Sequence, residues 1–133
     1  MSVLDGFTSF NFNEGVPYMS VTKNGLTFNK GVVLKLQCPE HVRFLINSET
    51  KQVALQCCEE GAQNAVEFFS GKKKESKILS IRWNGKDLLN TIKDLTGWNL
   101  SKDSYRVDGR LLPEEHAMLF NLSDAVLLGD AND

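Results

Sequence analysis

The chain has 133 residues, 41% apolar and 24% charged, with a formal net charge of −2. That length fits one domain or two very small ones, that composition excludes wholesale disorder, and the charge balance excludes a globally basic surface for nucleic acid. The balance holds in each part, with five Lys/Arg against six Asp/Glu in residues 1–60 and ten against eleven in residues 61–133.

Three cysteines, Cys38, Cys57 and Cys58, make no spaced disulfide framework, so a reduced cytoplasmic protein is expected. The opening MSVLDGFTSFNFNEG lacks the basic start and long apolar run of a secretory leader. No run of 18 apolar residues predicts a membrane span.

In chain order, residues 1–17 read as an arm or edge strand, with Phe10 and Phe12 alternating with Asn11 and Asn13. Residues 18–60 read as one strand–helix–hairpin unit. Tyr18 to Val21 is extended, and Asn24-Gly25 predicts a turn because both residues tolerate positive φ. Leu26 and Phe28 share one face of the next strand. Asn29 is placed to cap a helix whose apolar face is Val32, Val33 and Leu36, ending before Pro39. Val42, Phe44 and Ile46, then Val53, Leu55 and Cys57, alternate around the polar Asn47–Lys51 and predict a hairpin.

Residues 61–77 read as a connector, with Lys72, Lys73, Lys74 and Lys77 as a solvated cluster. Residues 78–128 read as a second strand–helix–hairpin unit. A strand runs from Ile78 to Trp83, and Asn84-Gly85 repeats the turn signal. Leu88, Leu89, Ile92 and Leu95 form an apolar helical face that Gly97 ends. Asp108-Gly109 predicts a type I′ turn between two short strands. Met118, Phe120 and Leu122 alternate, Ala125 to Leu128 closes the fold, and residues 129–133 form an acidic tail. The two units share an order of elements, although the Asn-Gly pairs are offset by 60 residues and the apolar pairs Val32-Val33 and Leu88-Leu89 by 56.

No residue pattern here carries catalysis, a metal or a cofactor, and none is expected. His41 and His116 each follow a Pro-Glu segment, with no zinc-type spacing. No glycine-rich phosphate cradle is present, and no local signature activates a thiol.

Across Val21 to Gln56 the run VTKNGLTFNKGVVLKLQCPEHVRFLINSETKQVALQ resembles the SpoVT/AbrB family of swapped-hairpin DNA-binding domains. The element order is shared, and TKNG and TFNK fall where that family places its turn and second strand. The chain departs from the family at Asn29, where a Pro is usual, and in its few basic residues, Lys23, Lys30, Lys35 and Arg43. The resemblance implies an α+β fold, a β-rich swapped-hairpin barrel, and tandem halves would make it similar to MraZ-type proteins. It implies a cytoplasmic DNA-binding transcriptional regulator, working as a homo-oligomer or as a pseudo-dimer within one chain. Lys23, Lys30, Arg82 and Lys86 are then the expected duplex-DNA contacts. The competing expectation is a protein-interaction module, antitoxin-like or a phage or accessory protein, with a protein partner in place of DNA.

Overall fold

The computed structural model describes residue 3, residues 16–69 and residues 80–130. The expected arm strand at Phe10 and Phe12 and the Lys72–Lys77 cluster lie outside those residues. The described residues form a small mixed domain, mostly strands with two helices among them, whose strands make one curled, half-barrel sheet.

The first part follows its local signals. Strands β1 (Tyr18–Thr22) and β2 (Gly25–Phe28) form a hairpin across Lys23 and Asn24. Asn29 then caps α1 (Lys30–Lys35): its Oδ1 accepts from the Val32 amide at 3.2 Å and from the Tyr18 amide at 2.9 Å. One side chain therefore starts the helix and ties it back to β1. β3 (His41–Asn47) and β4 (Gln52–Cys58) form the expected second hairpin. Within the connector, β5 (Val66–Glu67) is a two-residue strand on β3.

In the second part, β6 (Ile81–Trp83) leads to α2 (Lys86–Thr96), which ends in left-handed backbone at Gly97. Trp98 folds back and stacks on Tyr105, ring centroids 4.1 Å apart. β7 (Asp103–Leu112) is one continuous strand, which corrects the expected Asp108-Gly109 turn. Gly109 serves close packing there instead, because a methyl group on its α-carbon would meet the Met118 sulfur at 2.8 Å. Asp108 stays on the strand, accepting from Arg106 at 3.0 Å. The turn that follows β7 is a single 3-10 turn at Pro113–Glu115, closed by His116 at φ 51°. Then come β8 (Ala117–Asn121), a second 3-10 turn at Leu122–Asp124, and β9 (Val126–Asp130) on β7. Gly129 and Asp130 thus belong to a strand and not to the expected tail.

The strand order is β5-β3-β4-β8-β7-β1-β2-β6. Strands of the two parts alternate along it, through β4·β8, β7·β1 and β2·β6. The sheet also repeats itself. Adding 65 to both members of the pair Phe44↔Leu55 gives Gly109↔Phe120, and Asn47↔Gln52 likewise gives Leu112↔Ala117, both present in the β7–β8 ladder. The pair Ala54↔Leu119 has the same separation and sits where a two-fold axis would pass. A second such point is Thr27↔Arg82, separated by 55. Units β1-β2-α1-β3-β4 and β5-β6-α2-β7-β8 are therefore related by an internal pseudo-two-fold. No single offset exists: it is 55 from β2 to β6 and 65 from β3 to β7, and the longer α2, eleven residues against six in α1, supplies half of that difference.

One core serves both units. Met19, Leu26, Phe28, Val32, Val42 and Leu55 meet Ile92, Met118 and Phe120 in it, all fully buried. Phe28 lies at its centre, 5.0 Å from Trp83, 5.7 Å from Phe68 and 5.9 Å from Phe120 between ring centroids. Its offset and edge contacts are the arrangements aromatic rings favour.

Candidate functional site

Three lysines from two separate elements converge on one groove. Lys23 comes from the β1–β2 turn, and Lys86, Asn90 and Lys93 come from α2. At i, i+4 and i+7 these three share one helical face. Leu89, Leu100 and Ser101 complete a lining that encloses about 220 Å³. Among the described residues no carboxylate belongs to it; Asp87 and Asp94 of the same helix stand outside. Three ammonium groups around one concavity, without a counter-charge among the described residues of its wall, form a focus for an anion.

Gly25 brings them together. It lies directly against β6, where a Cβ would stand 2.3 Å from the Trp83 carbonyl oxygen and 3.1 Å from the Asn84 α-carbon. Its φ of 140° is also a conformation that side chains disfavour. The two Asn-Gly pairs of the sequence are thus neighbours in space, and the lysine before the first faces the lysine after the second.

The position of Lys86 is informative by itself. A helix favours acid in its first turn and base in its last. Asp87 and Lys93 obey that rule, whereas Lys86 opens the helix against its dipole. Its charge does not serve the helix.

Of the four residues expected to contact DNA, Lys23 and Lys86 are brought together. Lys30 opens α1, at the opposite end of the β2–β6 pair from them. Arg82 is exposed and lines a different, apolar groove with Phe44, Val66, Trp83, Asn84, Gly85 and Leu88. Arg43 donates to Gln56 Oε1 at 2.7 Å, and Gln56 donates in turn to the Glu115 carbonyl at 3.1 Å, so this arginine is engaged in the sheet. Lys93, Asn90 and Ser101 are site residues the sequence reading passed over. The spacing of seven from Lys86 to Lys93 is the signal that could have found the first.

Other chemistry has less support. Burial, and then the neighbouring Cys58, push the Cys57 thiol up from its ordinary value, the wrong direction for a nucleophile. Its Sγ lies 3.8 Å from the Leu36 carbonyl. Among the described residues no three of His, Cys, Asp or Glu come together to hold a metal. No described helix is long and apolar enough to cross a membrane.

The chain matches no protein-family model, no curated protein and no solved structure.

Proposed function

We propose that this protein is a non-enzymatic regulator that binds duplex DNA through its phosphate backbone at the Lys23–Lys86–Lys93 groove. The observation that carries the reading is the convergence of three lysines on a concavity whose described lining residues include no carboxylate. Asn90 and Ser101 add neutral donors beside them, the residue types that accompany lysine at phosphates. The interleaving of the two units supports an SpoVT/AbrB-like ancestry, and the pseudo-two-fold lets one chain supply what a dimer would.

The charge count sets the strength. Each phosphate neutralised contributes a slope of roughly −0.9 in log K against log salt. Three lysines give a slope near −3, which means modest, salt-sensitive and largely sequence-independent binding. Mobility shift of a 30-base-pair duplex in low salt tests this. Retardation that weakens with that slope, and that disappears in a Lys23→Glu/Lys86→Glu/Lys93→Glu triple variant, is the expected result. No retardation in low salt, or equal retardation by the triple variant, overturns it.

A further inference from the structure

The lysine groove is a hollow with an apolar floor. Leu89 and Leu100 are 8% and 2% exposed, whereas Lys23, Lys86 and Lys93 stand exposed around them. Charge of one sign over a low-dielectric floor concentrates the potential inside a hollow. The two loops that face α2 are also fixed in place. Thr22 Oγ1 accepts from the Asn24 amide at 3.1 Å, which sets the turn that carries Lys23, and Gly25 seats that turn against β6. Asn99 Oδ1 accepts from the Ser101 amide at 3.1 Å, and the Asn99 carbonyl accepts from the amides of Lys102 and Asp103. Loops held by their own side chains lose little further freedom when a ligand binds.

The size and length of the hollow narrow its occupant. Its volume of about 220 Å³ falls below the roughly 300–1,000 Å³ typical of sites for organic ligands. Lys86 and Lys93 are one face of α2, separated by about 10 Å along its axis at roughly 1.5 Å per residue. A single phosphate group is too short to meet both, and a short chain of linked phosphates laid along α2 is not. A duplex strand carries one charge per roughly 3.4 Å of axis, on the outside of a rod that meets only the rim. An oligophosphate chain carries a charge on every phosphate and a further one at its ends, and it is thin enough to sink between the lysines.

We infer that the hollow binds a compact oligophosphate chain, and that such a chain displaces duplex DNA from it. The second half rests on the DNA reading above, and the first half stands on the hollow itself. Lys86 and Lys93 hold the two ends of the chain and Lys23 meets it from across the hollow. The Asn90 amide and the Ser101 hydroxyl donate to oxygens between them. Availability of oligophosphate would then regulate the affinity for DNA by direct competition.

The probe is sodium tripolyphosphate, titrated calorimetrically into the full-length protein at fixed ionic strength beside orthophosphate, sulfate and ATP. Saturable binding is expected, at least about tenfold tighter for tripolyphosphate than for orthophosphate or sulfate. Lys23→Gln, Lys86→Gln and Lys93→Gln are each expected to weaken it about tenfold. All three lysines are exposed, so these variants keep the core. Lys30→Gln, at the far end of the β2–β6 pair, is expected to leave binding unchanged. ATP is expected to bind no more tightly than tripolyphosphate; a clear preference for ATP would make the site one for a nucleotide and overturn the assignment. No saturation, equal binding of orthophosphate, or unchanged binding by the three lysine variants overturns it too. Tripolyphosphate is also expected to release a retarded duplex where sulfate of equal ionic strength does not. Tripolyphosphate binding without any duplex retardation upholds the oligophosphate site and removes the DNA reading. Duplex retardation without tripolyphosphate binding overturns this inference alone.

Discussion

Gly25 and Trp83 touch through backbone: no heavy atom fits between the Gly25 α-carbon and the Trp83 carbonyl, because a Cβ would sit 2.3 Å from that oxygen. This contact holds the first hairpin against β6, and with it Lys23 against Lys86. Gly25→Ala is therefore expected to destabilise by at least about 2 kcal/mol, from positive-φ strain and the forced separation of β2 from β6. Thermal unfolding followed by circular dichroism should show a fall of roughly 5–10 °C.

Lys86 separates function from stability. Lys86→Glu replaces a charge that opposes the α2 dipole with one that suits it, so stability should rise by about 0.3–1 kcal/mol. On the proposed function the same change weakens DNA binding, whereas the neutral Lys86→Gln makes the salt slope shallower by about one phosphate. A variant that gains stability and keeps full affinity would remove Lys86 from the interface.

Asn29 is expected to be more than an ordinary cap. Beyond the Val32 amide it serves the Tyr18 amide, and its Nδ2 donates to the Val16 carbonyl at 2.8 Å. Asn29→Ala should cost about 2 kcal/mol, the upper end of cap replacements, and Asn29→Asp should retain most of the accepting role. Denaturant midpoints of the two variants test the difference.

Cys57 sets a limit at alkaline pH. Its thiol is raised above the ordinary 9.0 by burial and then by Cys58. Above 9.0 the unfolded chain gives up this proton before the folded one does. The stabilisation is thus complete below 9.0 and falls as pH climbs from there through the folded-state value. Denaturant unfolding between pH 8 and 10.5 should show this decline, and a Cys57→Ala variant should show a smaller one.

Much of the first unit was legible because its signals are local. Asn29 caps and Pro39 follows the helix, and the alternation in β3 and β4 needs only its own turn. Asp108-Gly109 misled for the converse reason. A dipeptide with strong turn chemistry was held straight by distant partners, with Tyr18 opposite Asp108 and Phe120 opposite Gly109. The lysine groove had a similar fate. Lys23 and Lys86 could be picked out beside their Asn-Gly pairs, but what joins them is the β2–β6 ladder, which composition and spacing do not announce. The repeat was obscured by unequal helices and unequal connections between elements, since each change in length shifts every later offset. Register, which counts pairs across strands, is indifferent to such insertions.

The alternation of the two units along the sheet has a consequence for how the chain acquires its structure. During synthesis β1 and β2 emerge early, yet the strands that flank them, β7 and β6, come from the far end of the chain. The apolar faces of the first hairpin must wait in solvent until nearly the whole chain has been made. Folding is then late, slow and all at once, as expected where contacts span large sequence separations. Neither unit alone is a folding unit.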